Sequence, residues 1–155
     1  MGIFDTIKEK LSNEFIDIIE WLDYTPDTIC HRFERYQNEI KNNAKLVVRE
    51  GQTAVFINEG QLADVFKPGT YTLNTQNLPI LTTLKGWKYG FDSPFKAEVY
   101  FVNTHLFTDE KWGTKNPITL SDDRFGLVEI RAFGTYAYRI NDAGKFIVDI
   151  VGTDN

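Results

Sequence analysis

Apolar positions open the chain with a helical rhythm. Ile7, Leu11, Phe15, Ile18 and Leu22 step by four, four, three and four residues, the spacing of one helix face. Thr6 and Glu9 form a capping-box pattern that predicts a start at Ile7. Pro26 disfavours helical geometry at Thr25 and predicts an end near Tyr24. Residues 1–26 are therefore expected to form an amphipathic N-terminal helix, set apart from a domain spanning 27–155.

The rhythm then changes to short strand-like runs. "TICHRFERY" alternates loosely, and Asn42-Asn43 divides "EIK" from "AKLVVRE" as a tight hairpin turn. In "VREGQTAVFINEGQLADVFKPGTYTL", Gly51, Glu59-Gly60 and Pro68-Gly69 separate runs that read as an antiparallel meander. "LPILTTLKGWKYGFDSPF" fits a short helix or an aromatic crossing. "KAEVYFVNTHLFTDEKWGT" predicts two strands and "NPITLSD" a third. "LVEIRAFGTYAYRI" reads as one long central strand. Val128, Ile130, Ala132, Tyr136, Tyr138 and Ile140 share one face, and Gly134 marks a bend or a close approach. "NDAGKFIVDIVG" predicts a closing helix, capped by Asn141 or Asp142 and buried along Ala143, Phe146, Ile147 and Ile150. The class is α+β.

Composition changes this picture little. The 155 residues suit one domain, and 14% aromatic content is enough for a real core. A net charge of −5 argues against a broad grip on nucleic acid. The single cysteine, Cys30, excludes an internal disulfide and fits a reducing compartment, so a cytoplasmic location is expected. No apolar run reaches the roughly 18 residues of a membrane span, and the N-terminus lacks the layout of a secretory signal. "MGIFDT" matches the short N-myristoylation pattern at Gly2, which recurs often by chance. Between residues 5 and 20 two lysines face five acids, a polar face ill suited to anionic lipid.

Catalytic chemistry has no signature. GxSxG, GxxxxGK[ST] and GxGxxG are all missing. Cys30 and His31 are adjacent, and neighbours on a strand point to opposite faces, so they are a poor ligand pair. Carboxylates such as Asp92, Asp109, Asp122 and Asp123 sit beside turn residues, where they bond local backbone. The expectation is no catalytic residue, no cofactor and no metal. Trp87 and Trp112, each beside a glycine, are the aromatics best placed for a ligand or an interface; the region from Trp87 to Phe95 supports a small-ligand or lipid-binding alternative.

Taken in order, "IEWLDYTPDTICHRF", "REGQTAVF…EGQ…PGTYTL", "NLPILTTLKGWKYGFDSPFKAEVYFVNT", "KWGTKNPI" and "RAFGTYAYRI" resemble a bacterial branch of the SPFH family, the stomatin, prohibitin and flotillin relatives. The branch is often labelled "virion core protein-like". The resemblance covers nearly the whole chain, with Asn43 standing where a hairpin glycine is usual. It implies a curved, mainly antiparallel sheet with flanking helices, in the N-terminal part of a longer protein. It implies a non-enzymatic scaffold that assembles with itself, weakly in this chain, and with a membrane-associated protein partner. Peripheral contact at the inner face of the cell membrane is the accompanying expectation. Ile7, Leu11, Phe15, Ile18 and Leu22 are the residues expected to meet a partner or membrane.

Overall fold

The structure, a computed structural model, describes residues 17–41, 43–73 and 95–151. Thirteen strands, a short 3-10 turn at Tyr36–Asn38 and one α-helix are found among them: β1 Ile18–Glu20, β2 Cys30–Phe33, β3 Glu39–Ile40, β4 Ala44–Val48, β5 Gln52–Asn58, β6 Gln61–Phe66, β7 Gly69–Leu73, β8 Phe95–Lys96, β9 Glu98–Asn103, β10 Phe107–Gly113, β11 Ile118–Asp122, β12 Gly126–Ile130, β13 Phe133–Tyr138 and α1 Ala143–Val151. The chain divides into two units: Met1–Thr104 with Ile140–Asn155, the body, and His105–Arg139, the ribbon. The class is α+β as expected, and every strand pairing but one is antiparallel among the described residues.

The body stacks two sheets. One has the order β1-β4-β7 and the other β2-β9-β5-β6, with the short pair β3-β8 beside them. Their facing sides supply a core: Ile19, Leu46, Val48 and Leu73 from the first, Phe56, Phe66, Val99 and Phe101 from the second. Helix α1 covers the other side of the larger sheet, where Val55, Ile57 and Val102 meet Ala143 and Ile147. A strand buried on both sides has no reason to alternate. That is why "AVFI" in β5 is apolar throughout, with Ala54, Val55, Phe56 and Ile57 all buried.

Local chemistry accounts for the joints. Glu59 and Gly60 both take positive φ, at 49° and 75°, and close the β5–β6 hairpin between Asn58 and Gln61. Asp142 caps α1, its side chain accepting the Lys145 N–H at 2.9 Å. Asn43, at φ 62°, lies in a turn that the Ala44 N–H closes onto the Lys41 carbonyl at 3.2 Å.

Several expectations are corrected here. The Asn43 turn joins no hairpin, because β3 pairs with β8 while β4 pairs with β1 and β7. The stretch from Val48 to Leu73 is not one meander. It passes from one sheet to the other and back, and only β5 and β6 are hairpin neighbours. The N-terminal helix does not extend to Leu22, since Ile18–Glu20 form a strand parallel to β4. Ile19 is fully buried there, while Ile18 and Leu22 are exposed. Pairing along the β4 edge overrides the helical spacing, and the ion pairs Asp17–Arg35 and Glu20–Arg49 flank it. Ile7, Leu11 and Phe15 lie outside the described residues, as do Trp87 and residues 91–94. In α1, Ile150 is exposed rather than part of the buried stripe.

Candidate interaction surface

The ribbon is built from one stretch of chain that folds back on itself. β10 pairs with β13 and β11 with β12, both antiparallel. Asp122 closes the tip, its carboxylate accepting the N–H groups of Arg124 and Phe125 at 2.8 and 3.0 Å. This is the turn role expected of such acids. Among the described residues no third strand joins either ladder. The "LVEIRAFGTYAYRI" segment is therefore neither a single strand nor central: it breaks at Arg131 and Ala132 into β12 and β13.

Gly134 shows why that segment needs a glycine, and the reason is close approach rather than a bend. It pairs with Trp112, and a Cβ built there would lie 2.8 Å from the indole Nε1. The indole lies over the glycine, a device that covers an otherwise bare strand position. Phe107 stacks on Tyr138 at 4.9 Å, and Tyr136 on Tyr138 at 6.0 Å, along the same ladder. Gly134→Val is expected to loosen the β10–β13 ladder by about 1 to 3 kcal/mol. Amide exchange across residues 107–138 checks this; unchanged rates in the variant would contradict it.

The ribbon leaves apolar groups in water. Ile118 pairs with Ile130 and Leu120 with Val128. All but the half-buried Val128 are exposed. Phe125 at the tip is 79% exposed, Leu127 80% and Phe133 87%. Two-stranded ribbons are marginal in water by themselves, and these exposed apolar groups make the ribbon the candidate contact surface. The sequence singled out only Trp112 in this region. Its other signal was subtle: "LVEI" and "AF" place apolar residues on both faces, which a half-buried strand does not.

The remaining candidates do not gather into a site. Ile18 and Leu22 belong to the body and Trp112 to the ribbon. Cys30 and His31 point apart, as strand alternation requires. Cys30 packs with the cluster around Val55, Val102 and Ile147, and burial pushes its thiol above the ordinary value. His31 stacks on Trp21 with ring centroids 5.3 Å apart. Among the described residues no three His, Cys, Asp or Glu side chains are grouped to hold a metal ion, and no helix is long and apolar enough to cross a membrane.

The model of the SPFH domain–Band 7 family matches residues 30–155, so the chain belongs to that family. Over 142 residues it is 39% identical to the uncharacterized protein YdjI of Bacillus subtilis (strain 168), a match that takes in 90% of this chain and 43% of that protein. The chain thus spans less than half the length of this relative. No solved structure matches. Neither the family description nor the relative's name carries the narrower virion-core label. The match begins at Cys30, so β1 lies before it although it pairs within the body's first sheet.

Proposed function

We propose that the chain is a non-enzymatic scaffold module that associates with copies of itself and with a membrane-associated protein partner, at the inner face of the cell membrane. Family membership supports the scaffold class. The observation that carries the reading is the ribbon, with Phe125, Leu127 and Phe133 each at least 79% exposed. Leaving such side chains in water forgoes roughly 1.5 to 3 kcal/mol apiece, so a covering partner is the economical use of them. The body stands on a separate footing: its sheets share one buried core. The segment bearing Ile7, Leu11 and Phe15 serves in this reading as a further partner contact. Its excess of acidic residues favours a protein over anionic lipid.

A module of this kind associates weakly as a 155-residue chain, because its exposed apolar surface is narrow. Light scattering over a range of concentration tests this. The expected mass rises with concentration from that of one 17.9 kDa chain. A mass fixed at one chain throughout contradicts self-association, and a large oligomer that survives dilution contradicts weakness.

A further inference from the structure

The two long sides of the ribbon are not equivalent. Strand edges are normally guarded by prolines, charges and bulges. On the β10–β11 side all three are present. The register shifts between Phe107 and Glu110 around Asp109 at φ 60°, and Asp109, Glu110 and Lys111 follow one another. Pro117 precedes β11 and Asp122 ends it. On the β12–β13 side there is no proline, and positive φ is confined to Gly126 at 72°, where the tip turn ends. β13 reads "FGTYAY", with no charge, and Glu129 and Arg131, one of each sign, are the charges between 126 and 138. One edge carries all three guards; the other carries only this opposite-sign pair.

We propose that the open edge, residues 126–134, pairs antiparallel with the same edge of a second copy of this chain, making a four-stranded sheet from two ribbons. This rests on the self-association reading above and names its surface. Three observations select a second copy as the occupant. Residues 126–134 read "GLVEIRAFG". Aligned antiparallel about Ile130, this stretch matches itself. Glu129 meets the second copy's Arg131, Leu127 meets its Phe133, Val128 its Ala132, and Gly126 its Gly134. The two charges within the stretch are thus complementary at both symmetric contacts, as a twofold interface requires. Glu129 and Arg131 are both exposed, and neither forms an ion pair among the described residues. The pairing also brings together Leu127 and Phe133, the two most exposed large apolar residues of the described ribbon.

Backbone direction agrees. Ala132 donates its N–H to the Thr114 hydroxyl at 3.2 Å and accepts the Thr114 N–H at 2.8 Å, so its polar groups face inward. Along an extended strand these groups alternate in direction. Phe133, the next residue on β13, therefore turns its own outward; the proposal has Arg131, Glu129 and Leu127 do the same across the break between β12 and β13. The whole ribbon also holds five basic and five acidic residues between His105 and Arg139, so the chain's charge of −5 lies elsewhere. A neutral ribbon meets its own copy without repulsion and offers anionic lipid no positive excess.

The test uses the full chain and sedimentation across concentration. Glu129→Arg and Arg131→Glu each place like charges at both contacts, and each is expected to weaken self-association about tenfold. The double variant E129R/R131E restores opposite charges and is expected to recover wild-type association. An equimolar mixture of the two single variants is expected to associate as heterodimers better than either alone. Circular dichroism confirms that each variant keeps its fold. If wild type associates and the single variants do so equally well, this edge is not the surface, although the scaffold reading stands. If wild type stays a monomer, both fail. Anionic vesicles, of phosphatidylglycerol in phosphatidylcholine, supply the other occupant: strong wild-type binding to them that Arg131→Glu abolishes, without a change in self-association, overturns the second-copy assignment.

Discussion

Phe56→Ala is expected to destabilise the body by about 3 to 5 kcal/mol, the range for emptying a fully buried phenylalanine site. Phe56 is 0% exposed and lies on β5, the strand between β9 and β6. Its ring meets Phe66 edge-on at 5.0 Å, and Phe66 in turn meets Tyr71 at 5.1 Å. Truncation removes the first ring of that series and leaves a cavity between two sheets whose strands are hydrogen-bonded on both sides of it. Collapse around the cavity is therefore limited, which places the effect in the upper part of the range. Phe56→Leu keeps most of the volume and is expected to lose less than about 1.5 kcal/mol. Urea unfolding of the two variants checks the difference; equal midpoints would show that Phe56 is not packed as described.

The second large effect is polar. Asn103 is 3% exposed at the end of β9, opposite Gln52 on β5. Its side-chain amide donates to the Asp23 carboxylate at 2.5 Å and to the Thr28 carbonyl at 2.7 Å. One residue thus ties the segment between β1 and β2 to the larger sheet. Asn103→Leu, close in size, removes one hydrogen bond to a carboxylate and one to a carbonyl. The expected loss is about 2 to 3 kcal/mol, the combined worth of the two bonds. Asn103→Asp is expected to be worse, because it adds a second negative charge beside Asp23. Thermal unfolding of both variants tests the order. An Asn103→Asp variant as stable as wild type would contradict the contact.

How much of this was legible in the sequence depended on how local the cause was. The Glu59-Gly60 hairpin, the Asp142 cap and the α1 stripe through Ala143 and Ile147 follow from residues within a few positions of one another, and their chemistry could be read directly. The failures all concern distant pairing. Ile18 carries helical spacing, yet its segment lies along β4, with Ile18 beside Lys45 far down the chain. The Asn43 turn was visible, but which sheet each flanking strand joins was not. "LVEIRAFGTYAYRI" has strand composition throughout, and nothing local announces the break at Arg131 and Ala132 or the indole that needs Gly134 bare. The family resemblance was legible because whole motifs recur in order, and it brought the fold class with it. The candidate interaction surface was not, because exposure of Leu127 and Phe133 depends on the lack of a third strand in the described ribbon, a property of the topology.

The proposal that this chain associates through an open strand edge is tested most directly by residue-resolved amide hydrogen exchange at low and high protein concentration. The amides of Leu127, Glu129, Arg131 and Phe133, outward-facing in this proposal, are expected to exchange freely when dilute and to become protected together as the chain associates. The amide of Ala132, already bonded to Thr114, is expected to change least among its neighbours. Association that protects other segments while these four amides continue to exchange at their dilute rates would contradict the account.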